Sequence, residues 1–164
     1  MLINVLALGG LAVLLCFGFV VLFGAPFLPT LRSQIEAALD LLDLHSGETM
    51  LELGCGDGRV LLAAAKRDLC AVGYELNPIL FMISWLRTRR YGKKVRVIWG
   101  DYWRADWPEA RGIFGFILPR YMGKLHKKVI RYPHRPVKVA SFAFEIAEKK
   151  PSAQRAGVFL YEYR

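Results

Sequence analysis

The sequence predicts one α/β domain with about five parallel strands and one terminal antiparallel strand, preceded by an apolar N-terminal segment. From residue 49 onward, segments typical of strands alternate with segments typical of helices. Such alternation indicates a parallel sheet with right-handed crossovers. The 23 basic and 14 acidic side chains all lie after residue 31, so the chain divides into an uncharged part and a charged part with a net charge of +9.

The uncharged part has the composition of a membrane-spanning helix. The 19 residues from Val5 to Phe23 include no strongly polar side chain, and about 20 apolar residues cross a bilayer. A signal peptide fits less well because no Lys or Arg precedes Arg32, and a core helix apolar on every side is hard to bury in a small domain. We therefore predict an anchor over residues 1–28 and a separate domain over residues 29–164. The positive-inside bias predicts a single-pass membrane protein with this domain on the cytoplasmic side.

The charged part is divided into elements by its apolar runs and turn residues. Ser33 and Glu36 match a capping box, which predicts a helix that ends near Asp43. Asn77 and Pro78 have the residue types of an N-cap and of the first helical position. Further strands are predicted at 49–54, 70–76, 95–101, 112–118, 137–146 and 157–164, and further helices at 59–67, 77–90 and 119–130. No helix is predicted between the third and fourth strands.

A glycine-rich turn follows the first predicted strand. The stretch LELGCGDGRV, residues 51–60, carries the spacing Gly54-x-Gly56-x-Gly58. A dinucleotide-binding turn has its third glycine at position 59, which is Arg59 here. A P-loop is excluded because no Gly-Lys-Ser/Thr follows. The acidic groups of Glu52 and Asp57 suit a sulfonium with an ammonium group and repel pyrophosphate, so the turn indicates S-adenosylmethionine (SAM).

Two further carboxylates follow the next two predicted strands. Glu75, at the end of the second strand, can accept hydrogen bonds from a ribose diol. Asp101, at the end of the third strand, can accept from the exocyclic amine of adenine, with Tyr102 or Trp103 available to pack on the ring. The carboxyl ends of parallel strands lie along one crevice. We therefore predict SAM as the cofactor.

These motifs resemble those of class I SAM-dependent methyltransferases, which implies a Rossmann-like sheet. In their order along the chain, the stretches PFLPT, LGCGDGRV, GYELNP, GDYW and FGFILPRYMGKLHKKV resemble the membrane-associated protein-lysine methyltransferases. That family includes the mitochondrial enzymes for ATP synthase c-subunit and adenine nucleotide translocase and their prokaryotic relatives. The resemblance covers roughly residues 20–145. It implies that residues 27–30 fold over the cofactor as a lid.

The candidate site residues follow from the motifs and the resemblance together. The predicted cofactor-binding residues are Phe27, Pro29, Thr30, Glu52, Gly54, Cys55, Gly56, Gly58, Glu75, Leu76, Asn77, Asp101 and Tyr102. The candidates for the substrate pocket, which follow the third and fourth strands, are Trp103, Pro119 and Tyr121. No metal site is predicted, because the three cysteines form no CxxC pair.

The predicted function is that of a membrane-anchored SAM-dependent methyltransferase, a protein-lysine N-methyltransferase acting on a membrane-embedded or membrane-proximal protein. Residues 117–121, ILPRY, lack the polar acceptor that amino-methylating nucleic-acid enzymes place there. The alternatives are an RNA or small-molecule methyltransferase, or a non-catalytic SAM-binding module. The basic clusters at 87–96 and 120–138 fit a solvated surface, anionic lipid headgroups or nucleic acid.

Overall fold

The structure is a computed structural model that describes residues 28–164, together with Gly10 and Gly18. The strands are β1 (Thr49–Leu53), β2 (Cys70–Glu75), β3 (Val95–Trp99), β4 (Gly112–Gly115), β5 (Val137–Phe142), β6 (Ala153–Arg155) and β7 (Val158–Tyr163). The α-helices are α1 (Arg32–Leu42), α2 (Arg59–Lys66), α3 (Pro78–Thr88) and α4 (Met122–Ile130). Short 3-10 turns span Arg89–Lys94 and Pro119–Tyr121.

The seven strands form one sheet in the order β3-β2-β1-β4-β5-β7-β6. Strands β1 to β5 are parallel, with Leu51 beside Val72 of β2 on one side and Ile113 of β4 on the other. Strand β7 is antiparallel to both of its neighbours. The five parallel strands of the Rossmann-like prediction are confirmed. The strand order reverses between β1 and β4, and ligands of open parallel sheets bind beside such a reversal.

The prediction of a single terminal strand is wrong, because β6 adds a second. Its sequence, Ala-Gln-Arg, is exposed throughout and has no apolar alternation that could mark it as a strand. Strand β6 forms a hairpin with β7 through Ala156 and Gly157, whose φ angles are +49° and +74°. Two positive φ angles in a two-residue loop are typical of the tight hairpin turn that matches strand twist.

The central strands are covered on both faces. Because side chains alternate along a strand, Met50 packs in the core under α1 and α2, whereas Leu51 packs in the core under α4. This explains why β1 reads as a nearly continuous apolar run. No helix lies between Trp99 and Gly112, as predicted, and the buried ring of Trp107 occupies the core there, donating from Nε1 to the carbonyl oxygen of Tyr102 at 2.8 Å.

The helix-start predictions had different outcomes. Asn77 caps α3, with Pro78 at its first position, as predicted. The capping box at Ser33 is wrong, because α1 already begins at Arg32 and its N-cap residue makes no side-chain cap. Its other member, Glu36, forms an ion pair with Arg67 of α2 instead. A tertiary partner has therefore replaced the local hydrogen bond.

The predicted localisation requires a correction. Among the residues that the structure describes, no helix combines the length and the apolar character needed to cross a membrane. This finding overturns the prediction of a single-pass membrane protein with a cytoplasmic domain. The predicted anchor at residues 1–28 lies outside the described residues, apart from Gly10, Gly18 and Leu28. The division of the chain between residues 28 and 29 stays a prediction.

Candidate active site

A cavity of about 390 Å³ lies at the carboxyl ends of β1, β2 and β4, beside the point where the strand order reverses. This is the size of site that encloses a small-molecule ligand. The predicted residues that line it are Pro29, Thr30, Glu52, Gly54, Cys55, Gly56, Glu75, Leu76, Asp101, Tyr102, Trp103 and Tyr121. The structure therefore brings together most of the residues selected from the sequence.

Four predicted residues are not among the lining residues. Phe27 lies outside the described residues. Pro119 begins the 3-10 turn before α4, and Asn77 is buried at the start of α3. Gly58 lies at the N-cap of α2.

The backbone of the glycine turn is tied to β2. Gly54 and Gly56 have φ angles of +86° and +52°, which only glycine adopts readily. The N–H groups of Gly54 and Cys55 both donate to the carbonyl oxygen of Tyr74, at 3.1 and 2.8 Å. The thiol of Cys55 is buried, and its Cβ and Sγ lie so close to Gly73 that a side chain there would clash. The turn is thereby held at the end of the sheet.

Gly58 permits a close approach of two helices. Its φ is +77°, and a Cβ atom at this position would lie 2.4 Å from Oγ and 3.2 Å from Cα of Ser84 in α3. Real Cβ atoms do not approach other atoms that closely. Gly58 thus allows the start of α2 to pack on α3, and it does not line the cavity.

Glu75 is buried in a fixed orientation. Its Oε2 accepts a hydrogen bond from the N–H of Gly56 and its Oε1 accepts from the N–H of Asn77, each at 2.8 Å. Burial raises the pKa of Glu75, and these N–H groups oppose the shift. Because a carboxylate has about four acceptor positions, two remain for a ligand. Asn77 in turn accepts from the N–H of Ile79 at 2.8 Å, so it holds the position of Glu75 from behind.

Glu52 is the one buried polar side chain in the described residues with an unpartnered atom. It is 4% exposed, lines the cavity, and its Oε2 has no hydrogen-bond partner. Burial, followed by the nearby carboxylates of Glu75 and Asp57, raises the pKa of Glu52 well above its ordinary value. A buried carboxyl oxygen without a partner is costly, and a cationic or hydrogen-bond-donating ligand in the cavity would remove that cost.

Asp57 is neutralised by two arginines, which sequence analysis did not anticipate. Arg59 donates to both carboxylate oxygens of Asp57, at 2.9 and 3.0 Å, and Arg87 forms a second ion pair with it. Burial opposes the shift, but these guanidinium groups hold the pKa of Asp57 below its ordinary value. Arg59 also donates to the carbonyl oxygen of Thr30 at 3.3 Å. The residue that breaks the dinucleotide pattern therefore connects the glycine turn to the segment before α1.

Aromatic side chains form the other side of the cavity. The rings of Tyr102 and Trp103 lie 4.8 Å apart between centroids, and those of Trp103 and Tyr121 lie 5.9 Å apart. Asp101 Oδ1 accepts from the N–H of Trp103 at 2.8 Å, which fixes the start of this segment. Burial, with a further contribution from Asp101, raises the pKa of Tyr102, so its hydroxyl stays protonated at neutral pH. Lys124 completes this wall, with Nζ 4.4 Å from the Trp103 ring centroid.

Several lining residues were not selected from the sequence. Phe116 and Ile117 follow β4 directly, so the rule that ligands contact the carboxyl ends of strands could have found them. Lys124 follows Tyr121 by one helical turn, but its sequence position alone does not direct it toward the cavity. Within the described residues, no group of three His, Cys, Asp or Glu side chains could hold a metal ion.

The family profile described as the ANTKMT methyltransferase domain matches residues 52–153, which include most of β1 and all three predicted carboxylates. The chain belongs to this family. Within the ANTKMT family, the human lysine N-methyltransferase of the ATP synthase c-subunit is 33% identical over 128 residues, covering 77% of this chain and 54% of the human protein. The chain spans about half the length of the vertebrate relatives it matches.

An archaeal protein and a bacterial structure match over more of their own length. The protein-lysine N-methyltransferase of Saccharolobus islandicus is 27% identical over 130 residues, covering 77% of this chain and 81% of that protein. The crystal structure of an RNA methyltransferase from Salinibacter ruber in complex with S-adenosyl-L-homocysteine superposes with a TM-score of 0.74 at 26% identity. That match covers 83% of this chain and 92% of the bacterial one. The sheet of this ANTKMT family domain is thus that of a class I methyltransferase.

Proposed function

We propose that the chain is a SAM-dependent protein-lysine N-methyltransferase. The observation that carries the proposal is the pair of buried glutamates at the ends of β1 and β2. Glu52 presents an unpartnered oxygen to the cavity, and Glu75 is held by two backbone N–H groups with acceptor capacity to spare. Both carboxyl groups lie in one cavity beside a glycine turn. This donor-seeking, acidic arrangement fits a ligand that carries a cationic group and a diol.

Each of these residues has a distinct proposed contact. Glu75 accepts hydrogen bonds from the ribose hydroxyls, and Glu52 accepts from the ammonium group of the methionine part. Asp101 keeps acceptor capacity for the adenine amine, because only one of its oxygens accepts from a backbone N–H. Pro29 and Thr30 line the same cavity as part of a lid. When bound, the cofactor supplies a methyl group on a sulfonium centre.

The aromatic wall suits a lysine side chain as acceptor. A lysine amine has a pKa of about 10.4 in water and must be neutral to act as a nucleophile. Desolvation between the rings of Tyr102, Trp103 and Tyr121 favours the neutral form. A strong base is not required, because a thioether is a neutral leaving group. The human and archaeal relatives are named as lysine methyltransferases, which supports the same substrate class here. That the substrate lies at a membrane, and that the basic clusters contact lipid, stays a prediction from sequence.

RNA methylation is the second candidate, because the superposing Salinibacter ruber protein is named an RNA methyltransferase and the chain has a net charge of +9. The chemistry of the cavity argues against it. Ile117 and Leu118 line the cavity at the position where an enzyme acting on a nucleobase amine places a polar acceptor. An amine on a planar base would lose a hydrogen bond there.

Calorimetry and labelling test the two parts of the proposal. The full chain is titrated with SAM, and we expect binding that weakens at least tenfold in Glu75→Gln. Glu109→Gln, which changes an exposed glutamate outside the cavity, is the matched control and should bind normally. Failure of the wild-type chain to bind SAM would overturn the whole proposal. The chain is then incubated with methyl-labelled SAM, a protein extract and total RNA. Methyllysine in the hydrolysed protein supports the proposal, and label confined to RNA contradicts it.

A further inference from the structure

A second concave surface adjoins the active-site cavity. Its volume is about 480 Å³, and it shares Trp103 and Lys124 with the first cavity. Four basic side chains line it, which we call the α4 basic face: Lys124, Lys127, Lys128 and Arg131. Their spacing of i, i+3, i+4 and i+7 places them on one side of α4 and its C-cap, opposite the buried side of the helix.

The α4 basic face carries charge that folding alone does not require. Like charges at i,i+3 and i,i+4 destabilise a helix, and this face contains four such pairs among its members. No carboxylate of the described residues forms a salt bridge with any of them, whereas Arg59, Arg67 and Arg87 are each paired. The helix dipole favours cations in the last turn but gives no reason for Lys124 in the first turn.

One member of the α4 basic face has a structural role as well. Lys128 donates to the carbonyl oxygens of Trp103 and Ala105, at 3.2 and 2.9 Å, and so connects α4 to the loop after β3. Lys124, Lys127 and Arg131 are exposed and accessible to an anionic partner. Asp106 is the only acidic side chain that lines this surface among the described residues.

The aromatic residues beneath this surface help to identify the partner. Single-stranded nucleic acid binds to such basic grooves by stacking its bases on exposed rings. Trp107 and Tyr132 are only 6% and 3% exposed, and Lys124 covers the ring of Trp103. The described part of this surface therefore offers no stacking platform, and a flexible chain of carboxylates is the better match.

We propose that the α4 basic face binds an acidic stretch of the substrate polypeptide, so that the chain methylates lysines flanked by Asp or Glu. This inference rests on the proposed protein-lysine methyltransferase function and adds the sequence context of the target. The helix from Lys124 to Arg131 spans about 10 Å, and an extended peptide covers about 3.3 Å per residue. The acidic residues therefore lie about two to five positions from the target lysine.

Two matched peptides test the inference with the full chain. One carries Glu at the third and fourth positions from a single lysine, and the other carries Gln there. We expect kcat/KM to be about tenfold higher for the Glu peptide, since two exposed ion pairs contribute up to about tenfold together. This preference should fall as salt is raised and should lie in KM, with kcat unchanged.

Variants separate this surface from the general basicity of the chain. Lys127→Gln with Arg131→Gln should reduce the preference to about twofold while methylation of the Gln peptide is retained. Arg89→Gln with Lys93→Gln is the matched control, because it also removes one exposed Arg and one exposed Lys, from the 3-10 turn before β3. The charge reversal Lys127→Glu with Arg131→Glu should make a peptide with Arg at the same positions the better substrate.

The outcomes distinguish this inference from the proposed function. Equal methylation of both peptides, or an equal loss of preference in the control variant, would overturn the inference and leave the methyltransferase proposal standing. Absence of methylation of any peptide or protein would overturn both. If RNA becomes labelled and the α4 basic face variants lower that labelling, the surface binds nucleic acid and the inference is wrong.

Discussion

Gly58 gives the sharpest test of how this fold holds its glycine turn. Alanine at this position must adopt a φ near +77°, and its Cβ would lie 2.4 Å from Ser84 Oγ. A non-glycine residue in this conformation costs about 1–2 kcal/mol, and overpacking of a tight contact adds about 1–3 kcal/mol. We therefore expect Gly58→Ala to lower the free energy of unfolding by about 2–5 kcal/mol.

Gly47 supplies the matched control. Its φ is +82°, almost the same as that of Gly58, but a Cβ there would have no atom of the described residues within 4 Å. Gly47→Ala should therefore cost only the conformational part, about 1–2 kcal/mol. Urea unfolding of both variants measures the two costs, and their difference is the steric contribution of the contact between α2 and α3. The double variant Gly58→Ala/Ser84→Gly should recover part of the loss, because the Oγ contact is removed.

Two results would refute this reasoning. If Gly58→Ala and Gly47→Ala cost the same free energy of unfolding, the close approach to Ser84 has no energetic consequence. If Gly58→Ala leaves the free energy of unfolding unchanged and weakens SAM binding, Gly58 acts as a cofactor contact, as the sequence pattern predicted.

Three further predictions concern charge and buried hydrogen bonds. Asp57→Asn should lower the free energy of unfolding by about 1–3 kcal/mol at pH 7; this deficit should shrink as the pH falls through the lowered pKa of Asp57, which chemical denaturation at several pH values can follow. Glu52→Gln should stabilise the cofactor-free chain above about pH 5, because a raised pKa makes the wild type lose stability as pH rises from the ordinary glutamate value of about 4.3 toward the folded-state value, yet it should weaken SAM binding; melting curves with and without SAM would show opposite shifts. Tyr132→Phe should cost about 1–3 kcal/mol and leave SAM affinity unchanged, because it strands one buried N–H and one carbonyl far from the cavity, and a calorimetric titration beside a urea curve would contradict this if affinity also fell.

Local signals in the sequence were sufficient for most elements and for the position of the site. Asn77 and Pro78 start α3 because an N-cap side chain and a proline at the first helical position act within one turn. Glu52, Glu75 and Asp101 could be assigned to one cavity because the carboxyl ends of parallel strands share an edge of the sheet. These inferences need only the strand directions.

Contacts between distant segments account for the elements that local patterns missed. Strand β6 was not predicted because its three exposed residues have no apolar pattern, and it exists only because β7 offers it a pairing edge. Glu36 pairs with Arg67 on another helix and makes no cap at the start of its own. In both cases the partner is distant in sequence, so no local pattern records the interaction.

Residue type and strand position are local properties, and they were enough to show that an acidic glycine turn and two further carboxylates surround one ligand. The chemical states of those carboxylates depend on the folded chain. Arg59 and Arg87 neutralise Asp57, whereas Glu52 is left buried with an unpartnered oxygen that faces the cavity. The energy of a buried charge depends on which groups surround it in space, and that environment is formed by side chains from elements far apart along the chain.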